Sequence, residues 1–287
     1  MRKELTNMDL KSESAATGFT TPPSPDTTNS PGGRHQPVKG PSATKPAVAG
    51  TLHIIGVGPG DPELLTLKAV RLLKQAPVWL VPKGCREGDS TALNILAQVV
   101  DPAGKEVISH HFPMLKIRMN QPPAPEVAAA WRAAAELVQE RLRAGPDVVF
   151  PTLGDPAIYS TGFYLCETLL ELAPKARVEI IPGVSAMGSA AASIRQPLCL
   201  GDDRLVVLPA TFENGRLRET LENFETVVLM KVHRVMDRLV PLLAEMQLLD
   251  KAVLVEKSGQ EGELISRDLT AAMNREMHYF STIIVRK

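Results

Sequence analysis

Short runs of branched apolar residues alternate with longer stretches of helical period from Thr51 onward. This alternation is typical of α/β folds, in which helices cover a largely parallel sheet. The predicted strands are residues 52–57, 78–82, 106–112, 147–152, 178–181, 205–208, 226–231, 252–256 and 279–285. The predicted helices are residues 62–75, 93–99, 126–144, 156–172, 185–194, 216–223 and 235–246. Together they predict two α/β lobes, residues 50–200 and residues 201–287.

Residues 1–49 have a different character, rich in Ser, Thr, Pro, Gly and Lys with almost no branched apolar or aromatic side chains. Such a segment cannot bury enough apolar surface to offset the entropy that it would lose on ordering. We therefore expect a disordered tail. A targeting peptide is the alternative, but a secretory signal would need an apolar core, and a transit peptide is poor in acidic residues, whereas this segment carries Glu4, Asp9, Glu13 and Asp26.

Composition and charge exclude several classes of protein. Hydrophobic residues make up 44% of the chain and charged residues 22%, which is ordinary globular usage. Because 32 basic residues balance 32 acidic ones, we expect neither nucleic acid nor an anionic membrane as a partner. No apolar run is long enough to cross a bilayer. Three separated cysteines, Cys85, Cys166 and Cys199, indicate neither a disulfide framework nor a zinc ribbon, and they favour a reducing cytoplasm.

A glycine-rich motif, GVGPGD at residues 56–61, follows the first predicted strand and precedes a helix. A dinucleotide-binding loop would need a third glycine where this chain has Asp61, and an acidic residue near the end of the next strand, where it has Lys83. Asp61 followed by Pro62 instead suits a helix N-cap, and its charge would repel a pyrophosphate. An NAD-dependent oxidoreductase is therefore disfavoured, and a plain capping turn remains an equal alternative.

Two further loops follow predicted strands. Residues 153–160, LGDPAIYS, repeat the order of strand, glycine, aspartate and proline, and residues 181–192, IPGVSAMGSAAA, lead into a helix of small residues. Since ligands of α/β sheets bind at the carboxyl ends of strands, two acidic loops there favour a cationic or donor-rich ligand such as a sulfonium nucleoside. The small-residue helix is either a tightly packed interior helix or a surface that an adenine or ribose can approach.

These segments resemble those of the tetrapyrrole methylase family. The similarity covers residues 51–287 and rests on the three loops, VVLPAT at 206–211, VVLMKV at 227–232 and YFSTIIV at 279–285. Within the family, FPM at 112–114, GDDRLVVLPAT at 201–211 and the YFS at 279–281 are most similar to the members that methylate C-20 of precorrin-2 or cobalt-factor II. The segment EKSGQEGELISRDL at 256–269 departs from that pattern.

The resemblance implies a homodimer whose lobes enclose S-adenosylmethionine, the methyl donor, in the cleft between them. Matched position by position, it also implies the cofactor contacts, which are Pro59, Leu153, Gly154, Asp155, Ile158, Ser185, Ala186 and Met230. For Asp155 helix capping is an additional role, and for Met230 the alternative is an ordinary core position.

The acceptor implied by the resemblance is a macrocycle with eight carboxylates on its rim, which should meet cationic or donor groups. The candidates are His110, His111, Lys116, Arg118, Arg204, Lys231, His233 and Arg234, of which His110, His111, Arg118 and Lys231 are predicted to bind substrate. The alternative for each is a solvated charge. The pair His110–His111 has no third ligand at useful spacing, so no metal site is predicted. Asp61 is the predicted catalytic residue, as a base, with a histidine near residue 110 as the alternative.

Other acceptors remain open within the same fold: another ring position in sirohaem or precorrin synthesis, diphthine, or ribosomal RNA ribose. The balanced charge disfavours RNA. A non-enzymatic nucleotide-binding module is the alternative of another class, which the intact loops disfavour. Nothing in the sequence separates the metal-free ring from the cobalt-containing one.

Overall fold

The computed structural model describes residues 49–84, 90–113, 115, 117, 121–209 and 214–287. The predicted tail lies outside the described residues apart from Ala49, as do the predicted acceptor contacts Lys116 and Arg118. Within the described residues, the chain forms two five-stranded sheets covered by helices. This confirms the predicted α/β fold.

The first sheet is parallel, in the order β3-β2-β4-β1-β5. Its strands are β1 (Thr51–Gly56), β2 (Val78–Lys83), β3 (Glu106–His111), β4 (Val148–Thr152) and β5 (Arg177–Ile181). Helices α1 (Leu67–Gln75) and α2 (Thr91–Leu96) pack on one face, over a core that includes Ile55, Trp79 and Val149. Helices α3 (Pro125–Ala144) and α4 (Thr161–Leu172) pack on the other face, over Ile54 and Phe150. Burial on both faces explains why the central strands are continuous apolar runs.

The second sheet is mixed, in the order β6-β7-β10-β8-β9. Its strands are β6 (Leu205–Pro209), β7 (Thr226–Met230), β8 (Ala252–Glu256), β9 (Leu264–Ser266) and β10 (Ser281–Arg286), and only β6 and β7 pair in parallel among these described strands. Along the chain, helix α6 (Asn214–Asn223) comes after β6, helix α7 (Met236–Glu245) after β7 and helix α8 (Leu269–Met273) after β9. Leu217, Leu243 and Ala272 from these helices share one core with Leu229 and Ile283 of the sheet.

Helix α5 (Ala186–Ser193) connects the two lobes. Its residues Ala190 and Ala191 pack against Val228, Val253 and Ile284 of the second sheet, although the helix precedes the predicted lobe boundary at residue 200. The small side chains let the helix lie close to that sheet. The tight-packing interpretation of the small-residue helix is therefore confirmed for this face.

Two predicted helices need correction, and two short elements were not predicted. The helix predicted over 62–75 is divided into a 3-10 helix, Pro62–Leu64, and α1, because the Thr66 hydroxyl accepts from the Ala69 N–H (3.2 Å) and starts a new helix. The helix predicted from residue 156 begins at Thr161, because Tyr159 has a left-handed backbone (φ 50°) and the Ser160 hydroxyl caps α4. Strand β9 and helix α8 were missed because both are very short. The other predicted elements are present, with ends within three residues of prediction.

No helix in the described part of the chain combines the length and the apolar character that crossing a bilayer requires.

Candidate functional site

Three loops lie side by side at the carboxyl ends of neighbouring strands. The first loop (residues 56–61) follows β1, the second loop (residues 153–160) follows β4, and the third loop (residues 182–185) follows β5. Strand β1 lies between β4 and β5, so the first loop lies between the other two. The parallel sheet thus gathers the three predicted motifs at one edge, where ligands of α/β sheets bind.

Glycines let the three loops touch through their backbones. A Cβ added at Gly56 would lie 2.6 Å from the Gly154 carbonyl oxygen and 2.7 Å from the Gly183 nitrogen, so no larger residue fits there. Gly58 and Gly154 form an antiparallel bridge, in which the Gly154 N–H donates to the Gly58 carbonyl at 2.7 Å. The glycine-rich sequence of these loops therefore serves close approach of backbone to backbone.

Asp155 uses both carboxylate oxygens within the protein. Oδ1 accepts from the Ala157 N–H at 2.7 Å, and Oδ2 accepts from the Gly183 N–H at 2.9 Å. The first bond shapes the turn before α4, although the cap of that helix is Ser160 and not Asp155. The second bond ties the second loop to the third. Asp155 is therefore an organising residue of the site as well as a predicted ligand contact.

The other lobe contributes residues from two segments. Met230 ends β7, and Lys231 follows it with a left-handed backbone (φ 63°), which turns the chain into a short 3-10 helix, Val232–Arg234. The second segment, residues 274–280, joins α8 to β10 and brings Tyr279 beside this turn. The Tyr279 ring centroid is 5.2 Å from that of His233 and 5.7 Å from Lys231 Nζ.

The imidazole of His233 is held towards its neutral form. Burial lowers its pKa below the ordinary value of 6.5, and the charge of Arg234 acts in the same direction. His233 thus lies beside two basic side chains, Lys231 and Arg234, in the same lining.

A cavity of about 680 Å³ lies between these loops and segments, within the range of small-molecule sites. Each lobe supplies part of its lining. All eight predicted cofactor contacts line it, namely Pro59, Leu153, Gly154, Asp155, Ile158, Ser185, Ala186 and Met230. Three of the candidate cations also line it, namely Lys231, His233 and Arg234.

The remaining described candidates lie outside the lining as far as the described residues define it. Asp61 caps the 3-10 helix, with Oδ1 accepting from the Glu63 N–H at 2.8 Å. His110 donates from Nε2 to the Ala130 carbonyl on α3 (2.9 Å), and His111 is its neighbour on the edge strand β3. Arg204 pairs with Glu225 on an exposed surface (2.9 Å). These four residues thus lie outside the described cavity lining, although Asp61 belongs to the same loop as Pro59.

Metal ligands are not clustered in the part of the chain that the structure describes. No group of three or more His, Cys, Asp or Glu side chains there is placed to hold a metal ion.

Sequence reasoning missed a connection between the lobes at residues 257–263. Gln260 Nε2 donates to the Pro59 carbonyl at 2.8 Å, and Ser258 Oγ lies 2.8 Å from Ser189 Oγ on α5. Gly60 has no Cβ, which leaves room for the Gln260 side chain and the Gly259 carbonyl against the first loop. The only signal in the sequence was that this segment departs from the family pattern.

Tyr159 makes a second connection between the lobes. Its backbone is left-handed, and its hydroxyl donates to the Val207 carbonyl on β6 at 2.9 Å. Burial raises the pKa of this phenol, which keeps the donating proton in place. A non-glycine residue in this conformation is strained, and such strain is typical of functional sites.

The cavity offers groups that suit S-adenosylmethionine. The apolar residues Leu153, Ile158 and Met230 line the same space as Asp155. A Cβ added at Gly154 would meet only the Ala186 nitrogen, at 3.7 Å, so the second loop presents bare backbone that a flat group can approach. An apolar wall, an acceptor for hydroxyl or ammonium donors and accessible backbone together fit a sulfonium nucleoside.

Comparison with known proteins adds independent findings. The family model for tetrapyrrole (corrin/porphyrin) methylases matches residues 51–273. The chain is 33% identical to the cobalt-precorrin-2 C(20)-methyltransferase of Salmonella typhimurium, over 83% of this chain and 97% of that protein. It is 34% identical to a precorrin-2 C(20)-methyltransferase of Sinorhizobium sp, over 82% of this chain and 95% of that protein.

A solved structure has the same fold. It is the uroporphyrin-III C-methyl transferase of Thermus thermophilus complexed with S-adenyl homocysteine, with a TM-score of 0.59 and 24% identity, covering 83% of this chain and 98% of that one. The three loops and the cavity between the lobes agree with the match to the family model over most of the chain. This protein therefore belongs to the tetrapyrrole (corrin/porphyrin) methylase family.

Proposed function

We propose that this protein is an S-adenosylmethionine-dependent C-methyltransferase that methylates C-20 of precorrin-2, or of the corresponding cobalt-containing ring, in cobalamin biosynthesis. The observation that carries the proposal is that all eight predicted cofactor contacts line one cavity between the lobes. The two relatives described above also support the proposal, because the chain matches each of these C(20)-methyltransferases over 95% or more of its length.

The cofactor would be held by the three loops together with Met230. The second loop offers the Asp155 carboxylate, and the third loop offers the Ser185 hydroxyl and the start of α5. When bound, S-adenosylmethionine supplies a methyl group activated by a positively charged sulfur, whose departure as a neutral thioether needs no acid. The task of these residues is then to fix the orientation of the methyl group and to exclude water.

The acceptor would lie against the second lobe. Lys231 and Arg234 carry permanent charges that suit the carboxylates of the ring, and Tyr279 and Phe280 offer flat apolar surface in the same lining. Arg204, which is already paired with Glu225, is left out of this proposal. The substrate roles predicted for His110, His111 and Arg118, and the role of Asp61 as a base, stay predictions.

Two further expectations from the sequence belong to the proposal. A homodimer is implied by the family resemblance. A cytoplasmic location is the second expectation, and it rests on the three separated cysteines of the sequence.

The test is anaerobic incubation of the protein with labelled S-adenosylmethionine and, separately, precorrin-2, cobalt-factor II and uroporphyrinogen III. Mass spectrometry and carbon NMR locate the label. We expect it at C-20 of one of the first two rings, and the productive ring identifies the substrate. Transfer to uroporphyrinogen III alone would overturn the C-20 assignment, and absence of S-adenosylmethionine binding would overturn the whole proposal.

A further inference from the structure

Glu256, the last residue of β8, is a buried carboxylate that the proposed chemistry does not use. Its side chain is 4% exposed, and burial of a carboxylate is costly unless charge and hydrogen bonds compensate it. Compensation comes from two partners. Oε2 pairs with the Arg275 guanidinium, and Oε1 accepts from the His278 N–H at 2.8 Å.

Both partners belong to the 274–280 segment, whose last three residues, His278, Tyr279 and Phe280, line the cavity. Glu256 itself does not line it among the described residues. The carboxylate therefore lies behind the cavity wall and holds the segment that forms the wall.

The far end of the segment is fixed by backbone bonds. The Phe280 carbonyl accepts from the Lys257 N–H at 2.8 Å, and the Ser281 carbonyl accepts from the Lys231 N–H at 2.8 Å. The Ser281 hydroxyl also accepts from the His233 N–H at 3.0 Å, which joins the start of β10, directly after the segment, to the turn after β7. Earlier in the segment, Arg275 and the His278 N–H are held by bonds to a charged group, the carboxylate of Glu256.

We propose that Glu256 is a positioning residue for the acceptor ring: its carboxylate holds Arg275 and His278 so that His278, Tyr279 and Phe280 form the wall on which the ring lies. The proposal rests on the function proposed above. It assigns to the end of β8 a role in ring binding that is separate from cofactor binding, because the cofactor contacts belong to the three loops and Met230.

The test compares Glu256→Gln with the wild type in two titrations. The first follows the absorbance of precorrin-2 or cobalt-factor II, whichever ring the wild type methylates, in the presence of S-adenosylhomocysteine. The second measures the binding of S-adenosylhomocysteine by calorimetry. The substitution keeps an oxygen for the His278 N–H but removes the charge that pairs with Arg275. We expect the Kd of the ring to rise about 10- to 100-fold, as for a displaced binding group, and the Kd of S-adenosylhomocysteine to stay within about twofold.

Asp203→Asn is the matched control. Asp203 also accepts from a guanidinium, that of Arg286 (2.7 Å), and from a backbone N–H, that of Leu200 (2.9 Å), but it lies outside the described cavity lining. We expect Asp203→Asn to leave ring binding unchanged. An equal loss of ring binding in both variants would mean that any such pair matters only for stability, and it would overturn the proposal.

A double variant, Glu256→Gln with Arg275→Gln, decides the matter if the single variant does not fold, because it leaves no unpaired buried charge. We expect it to fold and to lose ring affinity like the single variant. Wild-type ring affinity in either folded variant, or parallel loss of cofactor affinity, overturns the positioning role. If the wild-type protein binds no ring at all, it is the proposed function that fails.

Discussion

The Asp155 carboxylate accepts the Gly183 N–H at 2.9 Å and so joins the loop after β4 to the loop after β5. An ionised carboxylate has about four lone-pair sites, and the bonds to Gly183 and Ala157 use two of them. The same side chain can therefore hold the loops in place and still accept from a ligand. The two roles predicted for Asp155, structural and ligand-binding, are compatible.

Replacing Asp155 should affect cofactor binding and stability together. Asp155→Ala leaves two backbone N–H groups without their acceptor, so we expect a loss of about 1–3 kcal/mol of unfolding free energy. We also expect at least a tenfold loss of S-adenosylmethionine affinity, about 1.4 kcal/mol. Urea unfolding and calorimetry measure the two effects. The control is Asp61→Ala, which removes a cap outside the cavity and should spare cofactor affinity; the reverse pattern would contradict the assignment.

The contact between the three loops predicts that Gly56 tolerates no side chain. In Gly56→Ala the Cβ would meet the Gly154 carbonyl oxygen at 2.6 Å, so the backbone must move, at a cost of about 3 kcal/mol or more. Gly104→Ala is the control, because Gly104 has a positive φ (77°) but open space around it, and only the backbone cost of about 1–2 kcal/mol applies. The urea midpoint should therefore fall further in Gly56→Ala than in Gly104→Ala. Equal midpoints would refute the close contact at Gly56.

The sequence was sufficient for the α/β class and for most elements, because long apolar runs and helical periods dominate both lobes. The eight residues that the structure brings to one cavity came from the family resemblance, which matched the motifs of the three loops and of β7 position by position. The sequence did not separate cations in the cavity from those outside it. Whether Lys231 or Arg204 faces a ligand depends on strand order and on the left-handed turn at Lys231, which no local pattern reveals.

Lys231 and Arg204 should behave differently when replaced. Lys231 lines the cavity, so Lys231→Ala should raise the KM for the ring about tenfold or more, as expected for loss of a charged contact of about 1.5–3 kcal/mol. Arg204→Ala removes an exposed ion pair with Glu225 and a contact with the Phe224 ring, both outside the described cavity lining, and should leave the KM unchanged. Steady-state kinetics with the productive ring measures both, and a raised KM for Arg204→Ala would contradict this sorting.

The bond from Gln260 to the Pro59 carbonyl predicts a role in cofactor affinity. Gln260→Ala frees the first loop from the second lobe, and loss of one neutral hydrogen bond of about 1 kcal/mol should raise the Kd for S-adenosylmethionine about fivefold. Gln98→Ala removes a similar amide-to-carbonyl bond, to Asn94, on an exposed helix end, and serves as the control. Calorimetry should show an effect for Gln260→Ala alone, and equal affinities of both variants would contradict the role.

The pH dependence of stability should reflect His110. Burial is the main cause that lowers its pKa below 6.5, against the opposing bond to the Ala130 carbonyl. Between the lowered pKa and 6.5 the unfolded chain binds more protons, so the stabilisation is complete above 6.5 and is lost as the pH falls through that window.

His110→Gln keeps a donor for Ala130 but removes the titration. Urea unfolding measured at about pH 8 and at successively lower pH below about 6.5 should therefore show a smaller loss of stability on acidification than in the wild type. Well above the window the difference between the two proteins should be constant. An equal loss in both proteins would show that His110 does not contribute.

The position of β10 in the second sheet has a consequence for synthesis of the chain. This strand lies between β7 and β8, and its Ile283 and Ile284 are fully buried. Until residues 281–286 leave the ribosome, β6–β7 and β8–β9 are two separate strand pairs, and isolated pairs are only marginally stable. The strands of the first sheet all precede residue 182, so that lobe can fold earlier. Nascent chains therefore carry open strand edges on β7 and β8 until residues 281–286 are available, and such edges expose a chain to aggregation.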